Sequence, residues 1–329
     1  MLLFAAAIAA PGAAAAHTIH TAGNWDLEQQ RAVVRAGLMA PLGSEGFAGA
    51  KPLSAAAESA ALSGLAAREG LAPVASSAKA PPLTLVRFDA LLVQQLGLAE
   101  VAQSVQKVAE EARLTPPSYF GSEVVARYLG LRYDHPAGED RLELYPWNLI
   151  TRAEAAHSFA LALGLSTWEI GAVREKLSTF SLPHYSSDQL EVLRIAISKI
   201  GMPYVWGGTT DGTEDGLEHG GYDCSGFVWR VYKVSGLPWG AKILGRTAAE
   251  QAGEIPHSQR IRLDGVQPAD LLFFGSAHFN STATEANVIH EALALGNGWA
   301  INSSGQGVYM LPLDEGWLYE SFTWARRVI

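Results

Sequence analysis

The only cysteine of the sequence, Cys224, stands in Tyr222-Asp223-Cys224-Ser225-Gly226-Phe227-Val228-Trp229-Arg230-Val231-Tyr232. A single thiol forms no intrachain disulfide, so its chemistry is nucleophilic, intermolecular, or none beyond packing as a small hydrophobe. Phe227, Val228, Val231 and Tyr232 recur at helical spacing and Gly236-Leu237-Pro238 supplies a stop, which predicts a helix beginning close to Cys224. There the unsatisfied backbone N–H groups and the positive dipole end favour a thiolate and can donate to a developing oxyanion. Asp223 suits the N-cap, and Gly226 admits a close backbone or substrate.

A cysteine nucleophile needs a base, and the base an orienting group. Of nine histidines, five fall near the start or in the helical region, leaving His219, His257, His278 and His290. Only His290 falls inside an expected strand, Val288 to Leu295, which is joined through Gly296-Asn297-Gly298 to a second, Trp299 to Ser303. If those three residues form the loop, Leu295 pairs with Trp299, Ala292 faces Asn302, and His290 is a same-face diagonal neighbour of Asn302. Cys224, His290 and Asn302 then form a Cys-His-Asn arrangement.

The elements that must position these residues follow in order. Leu190, Leu193, Ile197 and Ile200 line a helix ending at Gly201; Asp270-Leu271-Leu272-Phe273-Phe274 reads as a strand, and Tyr319 to Ile329 as a closing one. A helix, the cysteine helix and then a strand meander is an α+β order. Upstream, helices are expected from Leu27 to about Gly37, over Leu53–Leu65, Val86–Leu98, Glu100–Leu114, Ser122–Leu131 and Thr151–Leu163. A Pro, Ala and Ser linker falls at about residues 70–82.

With 24 Lys plus Arg against 33 Asp plus Glu, the chain is net acidic at −9 and lacks a basic run, which argues against nucleic acid as a partner. Residues 1–16 read as a secretory signal ending in Ala14-Ala15-Ala16, without the usual positive start. No later stretch approaches the ~20 apolar residues of a membrane span, and no His and carboxylate cluster shows metal-ligand spacing. These readings predict an exported, cell-wall-associated chain with no membrane span, metal or cofactor.

Two resemblances enter here. Trp25–Leu65 and Ser118–Leu165 resemble degenerate S-layer homology repeats, whose signature is intact in the second as Thr151-Arg152-Ala153-Glu154 and reduced in the first to Ser54-Ala55-Ala56-Ala57. The resemblance implies binding of cell-wall polysaccharide through Arg152; a Thr151 and Glu154 capping box accounts for the same residues without a ligand. Pro203-Tyr204-Val205-Trp206-Gly207-Gly208, Asp223-Cys224-Ser225-Gly226, Asp270-Leu271-Leu272-Phe273-Phe274, and His290 with Leu295-Gly296-Asn297-Gly298 and Asn302 resemble the NlpC-type cell-wall cysteine peptidases.

That second resemblance implies a papain-like α+β domain over residues 183–329, after an all-α region over 17–182. It implies cleavage of peptidoglycan stem peptides between γ-D-glutamate and a diamino acid. Cys224 is then the nucleophile, His290 the base, and Asn302 the orienting residue. Tyr204, Trp206, Asp223 and Ser225 become substrate contacts, Asp223 toward the amine of an N-terminal L-alanine. Glu291-Ala292 replaces the family's small and apolar residues after the histidine, and Ala269 stands where a glycine commonly precedes the aspartate. By strand alternation Glu291 points away from His290. An inactive wall-binding domain, and an amidase or acyltransferase on the same fold, are the alternatives.

Overall fold

A computed structural model describes residues 21–74, 83–277, 279 and 282–329. The expected signal, the larger part of the expected linker and His278 lie outside them. The described residues cluster into two compact units: one of Gln106–Phe120 and Phe180–Ile329, the other running through Val105 and from Gly121 to Thr179.

The N-terminal half contributes α1 (Leu27–Arg35), α2 (Ala55–Glu69), α3 (Leu85–Gln95), α4 (Ala99–Glu111), α5 (Phe120–Tyr128), α6 (Arg152–Gly164) and α7 (Thr167–Ser178). Their ends follow from local chemistry. Ser54 and Thr151 accept from the third backbone N–H of α2 and α6, and glycines at φ 70 (Gly37) and 66 (Gly70) follow α1 and α2. Helix α7 carries the capping box Ser166-Thr167-Trp168-Glu169, a signal the periodicity reading passed over. Leu53, Leu62, Leu65, Phe88 and Phe159 are among the fully buried side chains of this unit. Single antiparallel bridges, Pro52 to Thr151 and Thr84 to Leu149, tie together the segments that lead into α2, α3 and α6.

The signature residues of α6 are used inside this unit. Arg152 is buried, donates to the carbonyls of Phe47 (2.8 Å) and Ala40 (2.7 Å), and lies over the Phe47 ring at 4.9 Å. Its guanidinium is thus engaged by the loop between α1 and α2. The expected capping box is half made: Thr151 accepts from the Glu154 amide at 3.2 Å, but the Glu154 carboxylate turns to His135 Nε2 at 3.1 Å.

The C-terminal unit contains α8 (Ser187–Ser198), a two-stranded ribbon β1 (Thr209–Thr210) and β2 (Gly221–Tyr222), α9 (Cys224–Val234), α10 (Ala248–Gly253), β3 (Leu271–Gly275), β4 (Val288–Gly296), β5 (Trp299–Ser304), β6 (Gly307–Pro312), α11 (Gly316–Ser321) and β7 (Phe322–Arg326). The five larger strands form an antiparallel sheet in the order β6-β5-β4-β3-β7. Strand alternation gives the sheet two faces. Leu272, Phe274, Ala292, Ala294 and Ala300 pack with Leu313, Leu318, Phe322 and Ala325 on one. Leu271, Phe273, Leu293 and Ile301 are fully buried on the other, toward α9 and α10. The expected closing strand is shorter than its sequence span, because Gly316–Ser321 is helical and pairing starts at Phe322.

The β4–β5 hairpin preserves the expected parity by a different device. Ala292 pairs with Asn302, Leu293 with Ile301 and Ala294 with Ala300, but Trp299 pairs with Gly296 rather than with Leu295. The turn is therefore the two residues Asn297 (φ 48) and Gly298 (φ 80), both in the left-handed region that a tight hairpin turn demands. Leu295 is the extra residue of a bulge. The bulge adds the odd residue that the three-residue loop was expected to supply.

Candidate active site

Helix α9 starts at Cys224 because Asp223 caps it. The Asp223 Oδ1 accepts from the Gly226 amide at 2.6 Å, and Oδ2 from the Gly207 amide at 3.0 Å. Gly226 is required by a close approach: a Cβ there would stand well inside contact distance of the Gly208 carbonyl oxygen. The Pro203-Tyr204-Val205-Trp206-Gly207-Gly208 segment is thereby fastened to the first turn of α9, and Tyr204 bridges in parallel to Tyr222. Trp206 is 69% exposed beside this junction.

Helix α9 packs against strand β4, and the backbone amides of Glu291, one residue past His290, and of Ser225 favour the charged form of the thiol. His290 and Asn302 are brought together directly. Their side chains share a sheet face, and His290 Nε2 lies 3.0 Å from Asn302 Oδ1 in a buried hydrogen bond. Asn302 also donates to the Tyr309 carbonyl at 3.2 Å, which fixes its amide so that Oδ1 faces the imidazole. With Nε2 donating to Asn302, Nδ1 is left unprotonated and able to accept a proton. Two aromatic rings hold the imidazole from the same side of the sheet: Phe274 at 5.9 Å and Trp317, edge-on, at 5.5 Å.

Electrostatics departs from the expectation of a helix-stabilised thiolate. Burial pushes the Cys224 thiol up to about 12, with the negative charges of Asp223 and Glu291 acting in the same direction and the two amide donors opposing. Burial likewise pushes His290 down to about 4, against the raising effects of the Asn302 hydrogen bond and Asp223. Desolvation works against the helix dipole at the thiol and disfavours charge on both groups.

Asp223 and Ser225 do not project as open substrate contacts. Arg246 forks onto Asp223, with Nη1 to Oδ1 at 3.0 Å and Nη2 to Oδ2 at 2.9 Å, and also donates to Ser225 Oγ at 3.2 Å and the Gly207 carbonyl at 2.7 Å. Sequence reasoning missed Arg246. The available signal was the capping box Thr247-Ala248-Ala249-Glu250 that starts α10 immediately after it. In the loop between β1 and β2, Asp211 pairs with Lys199 at 2.6 Å and accepts from the Tyr222 hydroxyl at 2.7 Å, while Glu214 accepts from the Thr209 amide at 2.8 Å. These two carboxylates hold the loop itself.

Residues 201–327 match the family model described as the NlpC/P60 family. Among curated proteins, the bifunctional muramidase/DL-endopeptidase CwlT of Bacillus subtilis (strain 168) is 31% identical over 126 residues, covering 38% of this chain and 32% of the relative. The probable endopeptidase YafL of Escherichia coli (strain K12) is 31% identical over 154 residues, covering 44% and 53%. The gamma-D-glutamyl-L-lysine dipeptidyl-peptidase of Bacillus subtilis (strain 168) is 27% identical over 127 residues, covering 38% and 36%. The chain spans about a third to a half of the length of these relatives. The match to the NlpC/P60 family falls within the C-terminal unit, an α+β arrangement around an antiparallel sheet.

Proposed function

We propose that the chain is a peptidoglycan hydrolase, a cysteine endopeptidase that cleaves stem peptides between γ-D-glutamate and the following diamino acid. The observation that carries the reading is the pairing of His290 with Asn302 on one face of the β4–β5 hairpin, whose strand β4 packs against the helix that begins at Cys224. The names of the curated relatives supply the bond class.

In this reading His290 Nδ1 takes the thiol proton as Cys224 Sγ attacks the γ-glutamyl carbonyl carbon. Backbone N–H groups at the start of α9 donate to the oxyanion. Collapse of the tetrahedral adduct breaks the C–N bond, and the imidazolium gives its proton to the leaving amine. Water then attacks the thioester with His290 again as base, releasing the γ-glutamyl carboxylate and regenerating the thiol. Asn302 holds the imidazole in the tautomer whose Nδ1 is unprotonated. Tyr204 and Trp206 contact the stem peptide, while Asp223 and Ser225 act through their fork with Arg246. A chain of this function works outside the cell, at the wall; among the described residues no helix is long and apolar enough to cross a membrane.

The test is mass spectrometry of products from defined muropeptides carrying lysine or diaminopimelate. Release of a fragment ending in D-glutamate, abolished in Cys224→Ala, is the expected result. Cleavage by Cys224→Ala at the parent rate, or no cleavage of any stem peptide by the parent, refutes the reading.

A further inference from the structure

Glu291 is a buried acid with no role in the chemistry above. It follows His290 on β4, and alternation sends its side chain to the opposite sheet face, toward α9 and α10. None of it is exposed, and among the described residues neither carboxyl oxygen has a hydrogen-bond partner. Strand β4 packs against α9, the helix that begins at Cys224, and both the backbone amide and the charge of Glu291 bear on that thiol.

The charged groups that face it are Arg326 from β7, Asp223 at the cap of α9, Arg246 and Glu254 on either side of α10, and the thiol itself. Both cations are already engaged. Arg326 pairs with Glu254 at 2.5 Å and donates to the Lys242 carbonyl at 2.6 Å and the Gln251 carbonyl at 3.1 Å; Arg246 is forked onto Asp223. An ionised Glu291 would therefore be a buried carboxylate without a dedicated counterion, and such groups keep their proton instead. Burial, the largest influence, holds its carboxyl well above the usual carboxylate range.

We propose that Glu291 tunes the nucleophile: protonated, it leaves Cys224 free to ionise during attack, and once it has released its proton to solvent, its charge holds Cys224 in the thiol form. The proposal rests on the reading of Cys224 as the nucleophile. At an effective dielectric near 20, two unit charges about 7 Å apart interact by roughly 2 kcal/mol, or more than one pH unit of thiol titration.

The test needs no substrate, because Cys224 is the only thiol of the sequence. The full chain and its Glu291→Gln variant are alkylated with iodoacetamide across the pH range, with circular dichroism as a check of folding. The two should react alike at acid pH. On the alkaline side Glu291→Gln should react about tenfold faster, its thiol titrating about one pH unit lower. Glu291→Val provides the second variant, with a change of the same sign. Superimposable profiles for the parent and whichever variant folds, or slower alkylation at every pH, overturn the proposal. Failure of the peptidase reading shows separately, as intact muropeptide in every sample alongside an unchanged alkylation difference.

Discussion

Asn302→Ala tests the geometry at its most exacting point. The substitution removes two buried hydrogen bonds, Nε2 of His290 to Oδ1 at 3.0 Å and Nδ2 to the Tyr309 carbonyl at 3.2 Å, in a side chain with no exposed surface. Each orphaned partner costs about 1–3 kcal/mol, so the folded state should lose about 3 kcal/mol. The kinetic cost has a separate origin. Without Oδ1 the imidazole has no preference for the tautomer that leaves Nδ1 free, and the hydrogen bond that raises the basicity of His290 is gone. A fall in kcat of roughly 10²- to 10³-fold follows, with KM little changed, because Asn302 does not meet the substrate. Asn302→Asp keeps an acceptor toward Nε2 and should recover part of the rate, with its acid limb moved to higher pH as the new charge stabilises the imidazolium. Steady-state cleavage of one defined muropeptide across pH, beside thermal denaturation of the same samples, separates the two costs. If Asn302→Ala keeps more than about half of the parental kcat while losing stability, the residue is structural and the reasoning about its orienting role fails.

Three further outcomes follow from the same coordinates. His290 titrates at about 4 in the folded state against an ordinary value of 6.5, so the unfolded chain binds the extra proton between them. This group's stabilising contribution, roughly 3 kcal/mol, is present above about pH 6.5 and lost as the pH falls toward 4; denaturant titrations should show a smaller acid-side loss in His290→Gln than in the parent. Ala269 holds φ 69, a left-handed conformation that costs a residue with a Cβ about 1–2 kcal/mol. Ala269→Gly should therefore raise the stability by about 0.5–1 kcal/mol after the entropy of the unfolded glycine is set against it, read as a higher Tm with unchanged activity. Gly226→Ala drives a Cβ into the Gly208 carbonyl and against the Asp223–Arg246 fork, and should cost about 3 kcal/mol or more together with most of the activity; retention of parental Tm and rate would show that the first turn of α9 has room to move.

What the sequence displays of this fold is set by how local each determinant is. Helices α1, α3, α4, α6 and α8 carry an apolar stripe or a cap within their own residues, and their expected bounds fall within a few positions of those observed. The parity of the β4–β5 hairpin is legible because Asn297-Gly298 and the flanking alternation are local; the bulge at Leu295 is not, because it is settled by pairing with β5. Strand β6 shows no period-2 alternation, because Val308 to Leu313 is an almost continuous apolar run. It is an edge strand closed by Pro312, a residue edge positions tolerate. Helix α10 has six residues, too few for periodicity to register, and the same brevity hid Arg246 just before it. The fork onto Asp223 joins residues 23 positions apart, and no spacing rule announces it.

The thiol shows the same division between local and global causes. A helix N-terminus lowers a thiol's affinity for its proton by an interaction worth about 0.3–2 kcal/mol, and Asp223, Cys224 and Gly226 encode that start within four residues. Burial acts on the same atom, although the residue keeps some exposed surface. The rise from 9.0 to about 12 corresponds to roughly 4 kcal/mol, more than the dipole supplies, with Asp223 and Glu291 adding to it. His290 is shifted the opposite way by the same desolvation, which disfavours charge on either partner. Both shifts act against a pre-formed thiolate–imidazolium pair. On the proposed mechanism the proton crosses to Nδ1 as the new C–S bond forms, when the developing oxyanion and the imidazolium can offset each other's desolvation. The Asn302 hydrogen bond then matters most in the transition state, where the imidazole carries its charge, rather than in the free enzyme.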